Sequence, residues 1–577
     1  MVLIIFKFNT LTNKYLLSIF LLLALAVYCT AQDITKIPKS KPVTVHGGIM
    51  GTGSIYNVEG DESMRNPYFW QFVANLNFKI LGIIDMPFSA QFSKKNARYK
   101  QPSFKQFGMS PRYKSITLNL GYRSIAFSNY SLTGLTFLGA SIEYQPEKSW
   151  LTSSAMYGRF FKANPYSDST NQNFLDPSFE RWGGGARVTV MKEHQEVTFI
   201  VFKAADRPNS IPTPPAGSNL APAENLITGF TTKNKLGNNF TLKTEYSISA
   251  YTSDIRDPGK KLDNYSYLNN LSPLFKSKYS STVAKAYEIQ ADYQADFIAM
   301  GISYKRIDPN YKSMGSTFIE NDVEDILFNL SKSLFKKRLN FSGSFGRQHN
   351  NLDNSKQTED IRLIGSATGS FIVSKALNIN VNYSNFSTSS QPALINFTDS
   401  VRFFQINKNT SITLNYNKGN EQVRHGITCM LALQEGSALN RSATIALETK
   451  NKMMNGNVSC NISWPGIGMS MAAAIQGSQF KASQNTNKSY GPSFSVIKKL
   501  FKSKMNLSLN YSYQLNILSA NGNSTSNIIR INSDFKLNKY QSINLYSSYL
   551  SRKQAAGLEN KPDLRELQAG LTYQFTF

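Results

Sequence analysis

The chain ends with the segment Leu567-Gln568-Ala569-Gly570-Leu571-Thr572-Tyr573-Gln574-Phe575-Thr576-Phe577, and its alternation decides the fold. The odd positions hold leucine, alanine, tyrosine or phenylalanine, whereas the even positions hold glutamine, glycine or threonine. Because successive side chains of a β-strand point to opposite faces, this segment has one apolar face and one polar face. Such a strand is typical of the wall of a transmembrane β-barrel, which separates lipid from a polar lumen.

The same period of two recurs upstream of this segment. Apolar side chains alternate with polar ones in stretches that begin at Leu377, Thr410, Met505 and Ile529. A soluble β-sandwich with one wet face is the alternative, but a chain of 577 residues would then need several domains, each with a second apolar layer. A closed barrel needs neither, and it leaves no unpaired strand edge in lipid.

The composition excludes a bundle of transmembrane helices. Of the 577 residues, 41% are hydrophobic and 17% are charged. After the first 31 residues, no apolar run approaches the ~18 residues that a spanning helix needs. Glycine and proline are spread evenly, and no linker divides the chain. Residues 43–577 are therefore predicted to form one barrel domain.

Short connections alternate with longer polar ones along the chain. Segments 333–342 and 499–508 resemble each other, and both contain a short basic turn. Longer polar loops are predicted at 253–283, 308–322, 387–400 and 551–564. Barrels of the outer membrane have short turns at one end and long loops at the other. The alternation predicts strands that start near residues 43, 68, 86, 135, 150, 180, 195, 225, 239, 284, 297, 324, 339, 360, 378, 402, 421, 442, 467, 489, 504, 524, 541 and 565. The prediction is an all-β, antiparallel barrel of about 24 strands, with about 22 to 26 as the accepted range.

The N-terminus has the pattern of a secretory signal peptide. Lys7 and Lys14 precede an apolar stretch at 15–27, and small residues at 29–31 precede a cleavage site before Gln32. We expect a signal peptide at residues 1–31, a short tail at 32–42 and export to the cell outer membrane. An N-terminal anchor helix is one alternative. A lipoprotein site at Cys29 is another, although a bulky tyrosine precedes that cysteine.

Two cysteines remain after cleavage, Cys429 and Cys460. Our expected register places Cys429 opposite residue 456, so that Cys460 lies about four residues, or ~13 Å, away along the strand. A disulfide requires Cα atoms within ~7 Å. We therefore predict two unpaired thiols that are buried or face lipid.

A basic segment near residues 96–134 disturbs the alternation of connections. Residues 113–122 look like a strand, but counting it makes the strand number odd and places long loops on both sides. We therefore expect residues 96–134 to leave the wall and fold into the lumen as a plug; a long extracellular loop and a miscount are the alternatives. The expected lumen or gating residues are Arg112, Tyr113, Lys114, Arg123 and Tyr130.

A plug of this kind needs partners on the inner wall. Carboxylates such as Glu245 and Asp534 are expected to pair with its basic side chains. Tyr122, Phe127 and Tyr130 are expected to pack against one another, away from the wet wall.

This region also carries a family resemblance. Ser110–Lys114, Gly121–Ser124 and Phe127–Ala140, continuing through Ala155–Arg159, form the matching stretch. It resembles a stretch in uncharacterised outer-membrane β-barrel proteins of the Bacteroidota. The resemblance implies an outer-membrane barrel and brings no assigned substrate.

The sequence offers no catalytic signature. The four histidines, His46, His194, His349 and His425, lie far apart, and no HExxH, GxSxG or P-loop pattern accompanies them. We predict no enzyme activity, no cofactor and no metal site. Glycines at 47–53 and carboxylates at 322–325 are interpreted as ordinary strand and turn residues.

The formal net charge of +26 bears on partners. Because the chain is expected to be exported, we do not expect a nucleic-acid partner. Cations at the outer rim could bind the lipid A phosphates of lipopolysaccharide, and cations on the inner face could favour anions in a pore. The alternative is that the positive charge is dispersed over the solvated surface. We predict a channel or gated pore for small or anionic solutes. The alternative is a structural or assembly barrel that docks a surface lipoprotein or a secretion partner; a TonB-dependent transporter comes third. The terminal aromatic residues Tyr573, Phe575 and Phe577 are predicted to be read by the outer-membrane insertion machinery.

Overall fold

A computed structural model describes residues 41–577 with internal gaps. The gaps are 61–65, 95–104, 166–176, 213–219, 273, 317–318, 357, 393–401, 442–445, 483–484, 520–521 and 554–562. The predicted signal peptide and nearly all of the tail lie outside the described residues.

The described part of the chain is almost entirely β-strand. It also contains one single-turn helix, α1 (Ser266–Asn269), and two 3-10 turns at Pro208–Ser210 and Pro465–Ile467. The strands are β1 (Val43–Glu59), β2 (Tyr68–Ile80), β3 (Ile84–Ser93), β4 (Lys105–Met109), β5 (Arg112–Tyr113), β6 (Ile116–Ser124), β7 (Thr136–Tyr144), β8 (Leu151–Phe161), β9 (Glu180–Lys192), β10 (Gln195–Arg207), β11 (Glu224–Leu236), β12 (Phe240–Thr252), β13 (Ser281–Ala295), β14 (Ile298–Ile307), β15 (Val323–Leu334), β16 (Leu339–His349), β17 (Thr358–Ile372), β18 (Leu377–Pro392), β19 (Arg402–Gly419), β20 (Arg424–Arg441), β21 (Ala446–Trp464), β22 (Met469–Ala482), β23 (Asn485–Leu500), β24 (Met505–Leu518), β25 (Gly522–Lys536), β26 (Gln541–Lys553) and β27 (Leu564–Thr576).

The strands close into one antiparallel barrel. Successive strands pair with each other, and β1 pairs with β27 from Gly48 opposite Thr576 to Glu59 opposite Arg565. Strands β4 and β5 both lie between β3 and β6, so the 27 strands occupy 26 positions in the wall. The predicted fold, a single large all-β barrel of 22 to 26 strands, is confirmed.

The wall has two strand positions more than the expected 24, and both come from the segment 96–134 that the sequence predicts to lie outside the wall. Strands β4, β5 and β6 continue the barrel between β3 and β7. The prediction that residues 96–134 leave the wall is therefore wrong for residues 105–124. Pro111 explains the error, because proline has no N–H for the ladder and splits one strand into β4 and β5.

The connections follow the expected alternation of lengths. Strands β15 and β16 are joined by four residues at one end, whereas β12 and β13 are joined at the other end by residues 253–280. That long connection folds against the outside of the wall. Leu268 and Phe275 within it cover Leu226 and Ala250, which lie on the same outward face as the exposed Phe230.

The cysteine register differs from the expected one by two residues. Cys429 lies opposite Val458, and Cys460 lies opposite Ile427. Both thiols are free. They share the outward face with the exposed Val458 and Leu431, so they are on the lipid side of the wall.

Candidate functional site

The wall has an apolar outer face and a polar inner face. On β27, the exposed Leu567, Leu571 and Tyr573 share the outer face. On the inner face, the hydroxyl groups of Thr52 and Thr572 lie 3.0 Å apart across the seam between β1 and β27. A closed wall with these two faces defines a transmembrane β-barrel, and its lumen is the candidate site.

The lumen is wider than wall side chains can fill. Neighbouring strands lie ~4.8 Å apart, so a circular wall of 26 strands tilted by ~40° would be about 50 Å across. Whatever passes through or docks inside is therefore set by the inner-face chemistry and by connections that fold inward.

The inner face divides into two chemically different halves. From β18 to β24, the described inward side chains are charged only at Arg424 and Lys499, both next to short connections. A typical cross-strand row on this half runs through Asn382, Ser411, Ala432, Asn455, Ser478, Ser489 and Asn516. We call this surface the neutral wall.

The other half of the inner face is charged, but many of its charges are paired. Arg181 donates to Asp206 at 2.8 Å, and Lys243 lies 3.1 Å from Asp292. Arg362 of β17 lies 3.0 Å from Glu320 of the connection that precedes β15. The charged half thus has no single dominant sign, and its ion pairs tie strands and connections together.

Two connections fold inward over the charged half. Phe127 and Leu132 of the β6–β7 connection and Met314 of the β14–β15 connection are buried in one cluster with Phe202 and Ile227. Phe202 of β10 and Ile227 of β11 are cross-strand neighbours on the inner face. Residues 125–135 and 308–316, which we call the inward loops, therefore cover part of the inner wall.

The inward loops also bond to each other. The Thr133 N–H donates to the Gly315 carbonyl oxygen at 3.0 Å. The Tyr311 phenol donates to the Tyr130 carbonyl oxygen at 2.8 Å, and both rings are buried. Because the two loops arise from distant parts of the chain, these bonds make them one packed unit inside the barrel.

Tyr130 fastens this unit to the wall. Its phenol donates to Glu288 Oε2 at 3.0 Å, and its N–H donates to Glu245 Oε1 at 3.2 Å. Glu245 and Glu288 are cross-strand neighbours on β12 and β13. Burial raises the pKa of Tyr130, and the nearby Glu288 carboxylate raises it further. The phenol therefore stays protonated and remains a donor.

The predicted gating residues are not gathered at one place. Arg112 and Tyr113 form β5 in the wall, and Lys114 lies in the next turn, with Nζ 5.3 Å from the Tyr113 ring centroid. Arg123 lies on the inner face of β6 and donates to Ser89 Oγ at 3.2 Å. Of the five predicted residues, Tyr130 alone lies on an inward loop.

The expected partners of the plug also differ from the observed ones. Tyr122 faces outward and meets Phe107 edge to face at 6.3 Å between centroids, so its predicted packing with Phe127 and Tyr130 is wrong. Glu245 holds a backbone N–H of the loop instead of a basic side chain, and Asp534 accepts from Asn544 at 2.6 Å.

The β14–β15 connection was missed as a lumen element. Residues 308–322 read as a polar loop, although Tyr311 and Met314 are both buried. The available signal was four large aromatic or apolar residues in an otherwise polar connection, namely Tyr311, Met314, Phe318 and Ile319.

The C-terminal residue completes the seam. Gly47 and Phe577 exchange two backbone hydrogen bonds, at 2.8 and 2.9 Å. The rings of Phe575 and Phe577 lie 5.2 Å apart, while Tyr573 is exposed on the outer face. The predicted assembly signal therefore coincides with the last ladder bonds of the barrel.

Within the described ranges, no group of three or more His, Cys, Asp or Glu side chains is placed to hold a metal ion. No helix among these residues is long and apolar enough to span a bilayer.

Comparisons with known proteins give distant matches to solved barrels. No family model matches the chain, and no curated protein does. The P pilus usher (PapC) translocation pore aligns at 11% identity over 92% of this chain and 99% of its own, with a TM-score of 0.32. Acinetobacter baumannii OccAB2 aligns at 9% identity over 92% and 98%, with a TM-score of 0.27. Pseudomonas aeruginosa OpdQ aligns at 12% over 65% and 98%, with a TM-score of 0.34. These likenesses are too distant to assign a function, and the barrel is established by this chain's own strand pairing.

Proposed function

We propose that the protein is an outer-membrane channel for small hydrophilic solutes. The observation that carries this proposal is the closed wall of 26 strands, apolar outside and polar inside, whose lumen the wall side chains cannot fill. The inward loops narrow the charged half, and the neutral wall lines the route that they leave. Export by a cleaved signal peptide and insertion by the outer-membrane machinery belong to the same proposal.

The neutral wall bears on the class of solute. Asn, Ser, Thr and Gln side chains both donate and accept hydrogen bonds, so they can replace the hydration of an uncharged polar solute without repelling either sign of charge. On the charged half, inward cations such as Arg181 and Lys243 already have carboxylate partners. The preference for anionic solutes stays a prediction, and we propose that uncharged polar solutes pass at least as readily as anions.

The test uses the purified full chain in lipid bilayers. Single-channel recording measures whether the lumen conducts, and the reversal potential in a salt gradient measures ion preference. Liposome swelling then compares glucose with gluconate, which are similar in size. We expect stable conductance, weak ion selectivity and swelling with glucose no slower than with gluconate. A protein that is assembled but never conducts would refute the channel, whereas a strong anion preference would refute only the solute class.

A docking barrel is the second candidate, and the connection 253–280 favours it. Tyr267, Leu274 and Tyr279 are exposed on this long connection beside Lys260 and Lys276. An aromatic patch at the long-loop end suits a surface lipoprotein. Co-purification of such a lipoprotein with the native protein, lost on replacing Tyr267 and Tyr279 by serine, would support this function over the channel.

A further inference from the structure

The short and the long connections of β15–β26 differ in charge. The short connections, 335–338, 373–376, 420–423, 465–468, 501–504 and 537–540, contain seven basic residues and one acidic residue, Glu421. Four more basic residues, Lys418, Arg424, Lys499 and Lys536, lie within two residues of these connections. The long connections of the same strands, 350–357, 393–401, 442–445, 483–484, 519–521 and 554–563, contain two basic and four acidic residues. Dispersed surface charge would not segregate in this way.

We call the eleven residues the basic rim. They are Lys336, Lys337, Arg338, Lys375, Lys418, Arg424, Lys499, Lys502, Lys504, Lys536 and Lys539. All eleven are exposed, and none forms an ion pair with a described residue. Arg424, Lys499 and Lys536 lie on the inner face of their strands. The other eight residues of the rim have charge available for an anionic partner outside the lumen.

Two of these turns have the same form and the same exposed aromatic residue. Three consecutive residues have positive φ in each turn, at 335–337 and at 501–503. Phe335 is 69% exposed and Phe501 is 67% exposed, each followed by a lysine. The Phe501 ring meets Phe535 edge to face at 6.4 Å, and Phe535 lies on the outer, lipid-facing side of β25. Phe501 thus sits on the membrane side of its turn.

Other short connections repeat the pairing of apolar and basic side chains. Ile467 is exposed at the β21–β22 connection, where Lys498 donates to its carbonyl oxygen at 2.8 Å. Lys539 lies 4.6 Å from the ring centroid of the exposed Tyr540. Aromatic rings with neighbouring cations are the side chains that favour the headgroup level of a bilayer.

The length of β15 brings the turn at 335–337 to that level. The 12 residues of β15, rising ~3.3 Å each and tilted by ~45°, span about 28 Å, close to the hydrocarbon thickness. The negative surface potential of an anionic leaflet attracts cations that lie beside it. We propose that the eight residues of the basic rim that do not face the lumen bind the headgroups of anionic glycerophospholipids in the leaflet next to the short connections.

The test measures which lipids stay with the full-length protein. The protein is placed in nanodiscs of equal phosphatidylglycerol and phosphatidylcholine, and native mass spectrometry counts the lipids retained after release. We expect phosphatidylglycerol to exceed phosphatidylcholine at least fivefold. The variant K336Q/K337Q/K502Q/K504Q should fall close to parity while keeping heat-modifiable migration, which reports a folded barrel.

A matched variant removes the same charge from the other end. K260Q/K261Q/K276Q/K278Q changes four lysines of the long connection 253–280 and should keep the wild-type preference. Equal loss in both variants would show a general charge effect and overturn the proposal. A wild-type protein that retains both lipids equally would also overturn the proposal. If such a protein binds poly-glutamate peptide instead, the rim is assigned to an acidic protein partner.

Discussion

Tyr130 and Glu288, 158 residues apart in the chain, are joined by a hydrogen bond of 3.0 Å from the phenol to Oε2. Tyr130 belongs to the β6–β7 connection, and Glu288 lies on the inner face of β13. This bond links the inward loops to a wall strand several positions away around the barrel. This bond adds to the buried cluster with Phe202 and Ile227 in holding the loops inside the lumen.

The first prediction concerns the phenol of Tyr130. Tyr130→Phe keeps the ring but leaves the half-buried Glu288 without this donor. A hydrogen bond to a charged group contributes about 1.5–3 kcal/mol. We expect the inward loops to open at least tenfold more often. A cysteine at the fully buried Ser131, in a background without Cys429 and Cys460, should then react at least tenfold faster with a membrane-impermeant maleimide.

Tyr546→Phe is the matched control for this experiment. Tyr546 also lies on the inner face and accepts a bond from Gln568 at 3.4 Å, but it is on β26, away from the inward loops. The same labelling rate in Tyr130→Phe and in the parent protein would contradict the anchoring role of Tyr130.

The second prediction concerns the inward loop as a whole. Replacing residues 126–134 by a Gly-Ser linker of equal length should raise conductance and the uptake of large antibiotics, because the loop no longer covers the inner wall. The control replaces the nine residues 554–562 by the same linker. Unchanged conductance in an assembled 126–134 variant would show that this loop does not narrow the pore.

Most of the wall could be predicted from alternation alone. All 24 predicted strand starts lie within four residues of observed ones, the largest differences being at 442 against Ala446 and 489 against Asn485. The missing pair was lost at Pro111, where one strand becomes two short ones. If residues 105–113 had been recognised as one strand, the predicted number of strands would have been even, and no plug would have been needed to explain an odd number.

The lumen was less predictable than the wall. Burial of Phe127 and Leu132 depends on contacts with Phe202 and Ile227, which come from strands far along the chain. A period of two identifies the face of a strand, but it gives no signal for an irregular connection. Tyr130 could be named as a candidate, whereas its partner Tyr311 lay in a loop that looked ordinary.

The third prediction concerns an aromatic ring packed over a glycine beside the seam. Gly570 lies opposite Tyr546, and a Cβ at position 570 would be 2.3 Å from Cε1 of that ring. Gly570→Ala should therefore slow assembly and lower the temperature at which the barrel loses its compact migration on gels. Gly369→Ala is the control, because nothing lies within 4 Å of a Cβ there. The double variant Tyr546→Ala/Gly570→Ala should recover part of the loss if the clash is the cause.

The fourth prediction concerns the terminal aromatic residues. Deleting residues 567–577 removes most of the ladder that β27 forms with β1 and β26, so the barrel should not acquire heat-modifiable migration. Replacing Tyr573, Phe575 and Phe577 by alanine keeps the ladder and should reduce the amount inserted in cells. Leu567→Ala/Leu571→Ala, on the same outer face, is the control. Equal insertion of all these variants would contradict a recognition role for the aromatic residues.

The last prediction tests the register of β20 and β21 through their native thiols. Residues directly opposite in an antiparallel pair have Cα atoms ~4.5–5.5 Å apart, which permits a disulfide, whereas a two-residue offset is too distant. Since Cys429 lies opposite Val458, and Cys460 is offset from Cys429 by two residues, the native pair should stay reduced under mild oxidant. In a Cys460→Ser background, Val458→Cys should form a disulfide with Cys429, and Gly456→Cys should not. Cross-linking of position 456 instead would restore the register expected from the sequence and show that the strands slide by two residues. A shift of two keeps every side chain on its face, so the alternation of apolar and polar residues cannot distinguish these registers and only a direct cross-link can.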